Sequence, residues 1–114
     1  MKDFIKTIKA FSEPNRIKIV KMLQHKSMCV CEMQTALNVS QPTVSKHMKK
    51  LEEAGFVSFE KDGLWVNYHL ADGGKNPYVA SMLGNLRHSL EDEPEVARLK
   101  KELPMIDRKW ITQK

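Results

Sequence analysis

Residues 32–51 read Glu32-Met-Gln-Thr-Ala-Leu-Asn-Val-Ser-Gln-Pro-Thr-Val-Ser-Lys-His-Met-Lys-Lys-Leu51, and this stretch decides the fold. Met33, Ala36 and Leu37 recur at helical spacing and predict a short helix. Asn38-Val39-Ser40 turns the chain. Ser40 suits the N-cap of the next helix, because its hydroxyl can accept a free amide hydrogen of the first turn. Pro42 follows where a missing N–H costs nothing. The second helix is predicted to run to Ala54 and to end at Gly55. Two helices joined by so tight a turn form a helix-turn-helix.

The faces of the second helix differ in chemistry. At about 100° per residue, Val44, Met48 and Leu51 share one narrow stripe, with His47 at its edge. Pro42, Lys46 and Lys49 point the opposite way, with Thr43, Ser45 and Lys50 on the flanks. No acidic residue occurs from Ser40 to Lys50. A major groove calls for compact polar groups at base edges and cations at phosphates. Gln41, Thr43 and Ser45 are therefore the candidates for bases. Lys46, Lys49 and Lys50 are the candidates for phosphate, with Ser40 at the helix start. A solvated basic face on an ordinary amphipathic helix would share this charge run, and the preceding turn and short helix favour DNA.

The 114 residues suit one modest core. Charged residues are 29% and hydrophobic residues 41%, which describes a globular chain. No stretch reads as a membrane span or a signal peptide, so the expected location is the cytoplasm. The net charge of +5 favours an acidic partner. That charge is uneven, with seven Lys/Arg against two acids in residues 1–26 and four against five in 27–70. The DNA argument thus rests on local placement. No phosphate loop and no nucleophile–base constellation points to an enzyme, and His25, His47, His69 and His88 are scattered.

Working outward, Phe4, Ile5, Ile8 and Phe11 predict a first helix. Ser12 is expected to cap a second, with Glu13-Pro14 in its first turn, Ile17, Val20 and Leu23 inward, and an end at Lys26-Ser27. Met28-Cys29-Val30 reads as a very short strand. After Gly55 the period becomes alternating. Phe56–Lys61 and Leu64–Leu70 are two strands joined by Asp62-Gly63. That register opposes Phe59 to Val66 and Val57 to Tyr68, and places Val57, Phe59, Leu64, Val66, Tyr68 and Leu70 on the packed face. A hairpin directly after a recognition helix is a wing. Lys61 at its tip would either touch DNA or stay solvated.

Ala71-Asp-Gly-Gly-Lys75 reads as a linker, after which Asn76 caps a helix opened by Pro77. Its Val79, Met82, Leu83, Leu86 and Leu90 form a long apolar stripe. So small a core cannot use all of it, so the stripe is assigned mainly to a partner subunit, giving a homodimer. Residues 95–103 predict one more short helix, and 104–114 a mixed tail with Met105, Ile106 and Trp110. The expected fold is α+β and mostly helical: a winged helix-turn-helix of about five to six helices with a two-stranded wing. Residues 1–91 would form the DNA-binding and dimerisation domain, and 92–114 a C-terminal extension.

Cys29 and Cys31 are the only cysteines. With one residue between them a disulfide would be strained. As thiolates they would select soft ions, and a helix N-terminus would ease their deprotonation. A redox pair and two small buried hydrophobes are the other readings.

Four segments carry a family resemblance: Ser12-Glu-Pro-Asn-Arg-Ile17, Cys29-Val-Cys-Glu32, Ser40-Gln-Pro-Thr-Val-Ser-Lys-His-Met48 and Gly63-Leu-Trp-Val-Asn-Tyr-His-Leu70. In this order, over about residues 4–90, they resemble the ArsR/SmtB family of metal-sensing repressors. The resemblance implies a homodimeric winged helix-turn-helix that represses a resistance operon until a toxic metal or metalloid releases it from operator DNA. Cys-Val-Cys is similar to the arsenic-responsive branch, which implies Cys29 and Cys31 as metal ligands and arsenite, or another thiophilic ion, as inducer. That branch's best-known pattern has a third cysteine where this chain has Gln34. Cadmium- and lead-sensing relatives add cysteines from an N-terminal extension that this chain lacks. Zinc-sensing relatives use the dimer helix, where only His88, Glu91 and Asp92 stand here. The alternatives are a redox-responsive or ligand-independent regulator of the same fold, or a winged helix that binds proteins only.

Overall fold

A computed structural model describes residues 1–72 and 76–112; part of the expected linker, residues 73–75, lies outside them. The element order is α1 (Lys2–Ala10), α2 (Pro14–Leu23), α3 (Val30–Leu37), α4 (Gln41–Glu53), β1 (Val57–Asp62), β2 (Trp65–Leu70), α5 (Pro77–Leu86), α6 (Pro94–Glu102) and α7 (Arg108–Thr112). A single 3-10 turn, Leu103–Met105, joins α6 to the last segment. The architecture is a winged helix-turn-helix with a two-stranded antiparallel hairpin. No helix among the described residues is long and apolar enough to cross a membrane.

The helix-turn-helix forms as its residues dictate. Asn38 takes the left-handed conformation, φ 56°, that closes α3. Ser40 Oγ accepts from the Thr43 amide at 3.4 Å and so caps α4. Gly55, φ 89°, releases the chain from α4 into the wing. Val44, Met48 and Leu51 are fully buried on the inner face. They join Ile19, Val20 and Met22 of α2, Met33 of α3 and Phe56 in one core. Phe11 stacks on Phe56 with ring centroids 4.3 Å apart, which pins the end of α1 over that core.

Several boundaries differ from the sequence reading. Glu13, not Ser12, caps α2: its carboxylate accepts from the Arg16 amide at 3.2 Å. Ser12 instead donates to the Lys9 carbonyl at 2.7 Å and finishes α1. A carboxylate is the stronger acceptor at the positive end of a helix. The expected strand at Met28–Val30 shrinks to one bridge, Met28 with Tyr68, because Cys29 already caps α3.

The wing register is shifted by two residues. Phe59 pairs with Tyr68, Lys61 with Val66 and Asp62 with Trp65, so the turn is Gly63-Leu64. Gly63, φ 63°, occupies the first turn position, where positive φ is required. A shift of two preserves the faces, since side chains alternate with period two. Leu64, however, leaves the packed face and is 99% exposed at the tip, and Phe59, also expected on that face, is 43% exposed.

The α5 stripe is also revised. Val79, 0% exposed, and Leu86, 8% exposed, belong to the chain's own core and are not available to a partner. Met82 and Leu83 are half-buried against that core. Leu90 lies beyond the end of α5 in a left-handed conformation, φ 66°. The buried Lys21 explains the stop: its ammonium donates to the carbonyls of Leu86 at 2.8 Å and Ser89 at 2.9 Å.

Residues 93–112 fold back on the rest. Leu99, Leu103 and Ile106 enter the common core. The Lys26 ammonium donates to the Ile106 carbonyl.

Candidate nucleic-acid interface and thiol site

α4 is presented to solvent along one side. Ser40, Gln41, Ser45, Lys46, Lys49 and Lys50 are exposed, and Thr43 is half-buried. The hydroxyls of Ser40 and Thr43 hydrogen-bond to each other at 2.8 Å. Lys61 is exposed one residue before the end of β1, on the same hairpin as the bare Leu64 tip.

The opposite edge of α4 is fixed by His47. Arg16 Nη1 donates to His47 Nδ1 at 3.2 Å, while His47 Nε2 faces Glu13 Oε2 at 3.4 Å. Nδ1 as acceptor and Nε2 as donor is the neutral tautomer. Burial holds the imidazole below its ordinary pKa of 6.5 against the opposing charge of Glu13, and the charges of Arg16 and Lys46 add to the lowering. Arg16 Nε also donates to the Ala10 carbonyl at 2.6 Å. One guanidinium thus ties the end of α1 to α2 and to α4.

The thiols converge at the start of α3. Cys29 and Cys31 Sγ are 2.8 Å apart, with one thiol donating to the other sulfur. Cys29 is 3% exposed and Cys31 is half-buried. Cys29 occupies the N-cap, and its sulfur and the Glu32 carboxylate form a capping box. The Cys29 amide donates to Glu32 Oε1 at 2.9 Å. Deprotonation is not eased as the sequence reading expected. Burial pushes the Cys29 thiol up to about 12, with the Cys31 hydrogen bond and the Glu32 charge adding to it. Desolvation outweighs the helix-terminus effect here.

Glu32 has a second partner that sequence reasoning missed. Glu32 Oε2 accepts from the Arg108 amide at 3.1 Å. Arg108 then reaches the outer face of the wing. Its Nη1 donates to Asn67 Oδ1 at 2.7 Å and its Nη2 to Asp62 Oδ2 at 2.9 Å. Its guanidinium lies 5.1 Å from the Trp65 ring centroid. The Asp62 bond holds the Arg108 pKa above its usual value, and the charges of Asp62, Cys29 and Glu32 add to this against desolvation. For Glu32 a signal existed: Cys29-x-x-Glu32 is a capping-box spacing with cysteine in the serine place. For Arg108 none did.

As a ligand set the thiols offer two sulfurs at one point, which fits a soft, thiophilic centre. Both Glu32 oxygens are already engaged. Among the described residues no group of three or more His, Cys, Asp or Glu is placed to hold a metal ion, and this includes His88, Glu91 and Asp92.

The apolar residues of α1 form a further exposed surface. Phe4, Ile5 and Ile8 are exposed, and the Phe4 ring meets Tyr78 of α5 edge-on at 5.1 Å. Thr7 and Ala10 are the buried positions of α1. The apolar face of this helix therefore looks outward beside Tyr78, and the sequence reading did not assign it to a partner.

Residues 13–58, which hold α2, α3, α4 and the thiols, match the family model described as bacterial regulatory protein, arsR family. An uncharacterized HTH-type transcriptional regulator, MJ1325, of Methanocaldococcus jannaschii is 43% identical over 65 residues, covering 56% of this chain and 73% of its own length. The arsenical resistance operon repressor of Escherichia coli K12 is 38% identical over 68 residues, covering 59% of this chain and 58% of that repressor. Among solved structures, HlyU from Vibrio cholerae N16961 superposes with a TM-score of 0.66 at 26% identity, covering 78% of this chain and 92% of HlyU.

Proposed function

Because the chain belongs to the ArsR/SmtB family of DNA-binding winged helix-turn-helix transcriptional repressors, and not to an enzyme family, we propose that it is an arsenite-type repressor: it holds an operator through α4 and leaves it when Cys29 and Cys31 capture the metalloid. The observation that carries this reading is the 2.8 Å approach of the two sulfurs at the N-cap of α3, the helix that supports α4. The E. coli relative, which bears the name of an arsenical resistance operon repressor, adds weight.

The chemistry is a condensation. Arsenite is the cargo, neutral in its trihydroxy form near pH 7. Each thiol replaces one hydroxide on arsenic, and each thiol proton leaves with that hydroxide as water. Two As–S bonds form and two As–O bonds break, with no change of oxidation state. The raised thiol pKa at Cys29 is no obstacle, since no free thiolate need accumulate. The third position keeps its hydroxide or takes an external thiol, because Gln34 offers no sulfur. Drawing the Cys29 sulfur onto arsenic removes it from the capping box, and the first turn of α3 shifts with it.

On the DNA side, Gln41, Thr43 and Ser45 meet base edges. Lys46, Lys49 and Lys50 meet phosphate, with Ser40 at the helix start and Lys61 on the wing. A homodimer places two such helices one helical turn apart. Its apolar face is built from Phe4, Ile5 and Ile8 of α1 with Tyr78, Met82 and Leu83 of α5. The described part of the extension, residues 92–112, packs on the core of the DNA-binding unit, and the protein works in the cytoplasm.

X-ray absorption at the arsenic edge of the arsenite-loaded protein tests the site. At least two sulfur neighbours supplied by protein are expected. A shell of oxygen alone would overturn it. Oxidation of the pair is the rival use of the same sulfur approach. It predicts release from DNA by peroxide and none by arsenite.

A further inference from the structure

The thiol site and the wing are joined by one residue of the C-terminal extension. Arg108 is bonded through its backbone amide to Glu32, which holds the Cys29 amide with its other oxygen. Through its side chain Arg108 holds Asp62 and Asn67 and covers Trp65. The wing that it grips is a two-stranded sheet, a structure that is marginal without added contacts.

We infer that Arg108 is a positioning residue that couples occupancy of the thiol site to the placement of the wing, so that the C-terminal extension belongs to the switch. The inference rests on the thiol-site reading above for its biological use, although the coupling itself is a property of the apoprotein. The route is short. When the Cys29 sulfur leaves the Glu32 amide, the first turn of α3 loosens, and with it the bond by which the Cys29 amide fixes the Glu32 carboxylate. The Arg108 amide is then held less firmly, and the guanidinium no longer has a rigid base from which to clamp Asp62 and Asn67. Linkage makes the effect reciprocal: freeing the wing end must loosen the thiol end. The connection is contiguous, with donor–acceptor distances of 2.7–3.1 Å at every link.

The test measures both ends in one protein. In a Cys31→Ser background, so that Cys29 is the sole thiol, the rate of Cys29 alkylation by iodoacetamide is compared with amide hydrogen exchange across residues 61–66. Arg108→Ala should accelerate both, each by roughly 5- to 10-fold, the size expected from removing one or two partly exposed charged hydrogen bonds. Exchange in α2 and α4 should not change, which separates this from general destabilisation. Arg108→Lys keeps the charge near Asp62 but not the fork, and should fall between. Arg98→Ala, which breaks an exposed pair with Glu102 on α6, should move neither. Faster wing exchange with unchanged alkylation, or no change in either, would overturn the inference. A separate arm measures operator affinity with and without arsenite on the two-cysteine protein. Arg108→Ala should shrink the wild-type ratio, and an undiminished ratio counts against the coupling. A wild type blind to arsenite would sink the inducer reading, while the alkylation and exchange results would still decide for or against Arg108.

Discussion

The Cys29 amide donates to the Glu32 carboxylate at 2.9 Å, so the residue that begins α3 is held by the residue one turn inside it. Glu32 is 7% exposed, and its second oxygen is also used. Buried carboxylates are tolerated only when so engaged. Glu32→Ala should lower the free energy of unfolding by about 1–3 kcal/mol, since two backbone donors lose their partner. Glu32→Gln should cost less, because an amide oxygen can replace only one of the two acceptors. Urea unfolding followed by circular dichroism measures this, and a loss below about 0.5 kcal/mol for alanine would show the box to be incidental.

The basic side of α4 should bind phosphate. Lys46→Ala and Lys49→Ala should each weaken binding to all sequences alike. Each should also reduce the slope of log affinity against log salt by about 0.9 for every phosphate no longer neutralised. Thr43→Ala or Ser45→Ala should instead change preference among operators. Unaltered affinity and salt slope in both lysine variants would mean that another element occupies the groove.

The apolar face of α1 and α5 should hold the dimer. Ile8→Glu, at an exposed position, should yield a folded monomer in sedimentation at about micromolar concentration, where the wild type should sediment as a dimer. Leu86→Glu should do something different. Leu86 lies in the chain's own core, so a charge there should unfold the protein rather than dissociate it. A wild type that sediments as a monomer removes the interface altogether.

His47 gives stability a pH dependence of known sign. Its folded pKa lies below the ordinary 6.5 because it is buried. The unfolded chain therefore takes up the proton first as pH falls. The stabilisation is complete above about pH 6.5 and is lost as pH drops below it toward the folded value. The urea midpoint should fall between about pH 7.5 and about pH 5.5, and His47→Gln should show a smaller fall. Equal falls in both proteins would assign the effect to other groups.

Most of the helix-turn-helix was legible because its signals are local. Ser40, Pro42 and Gly55 punctuate α4, and one stripe buries Val44, Met48 and Leu51. The wing was legible as a hairpin but not in register, since Asp62-Gly63 and Gly63-Leu64 are both acceptable turns and the alternation is satisfied by either. The α5 stripe was over-assigned to a partner. Periodicity shows that Val79 and Leu86 are apolar on one face, not which surface covers them, and their own core does. Arg108 was not legible at all. Its partners Asn67, Asp62 and Glu32 stand 41, 46 and 76 positions away in sequence, and no local pattern records such a meeting. The high pKa of Cys29 escaped for a related reason: a helix start is visible in sequence, while the burial that overrides it is not.

The central claim, that Cys29 and Cys31 take up arsenite and thereby release the protein from DNA, is tested most directly by one titration. Operator DNA, selected by the protein from a random pool, is labelled, and binding is followed by fluorescence anisotropy with and without arsenite. The wild type and the Cys29→Ser/Cys31→Ser double variant are compared. The wild type should lose affinity by roughly 5- to 150-fold, the usual range of allosteric coupling, while the double variant binds the operator and ignores arsenite. A wild type whose affinity arsenite leaves unchanged, or a double variant that still lets go, would contradict the account.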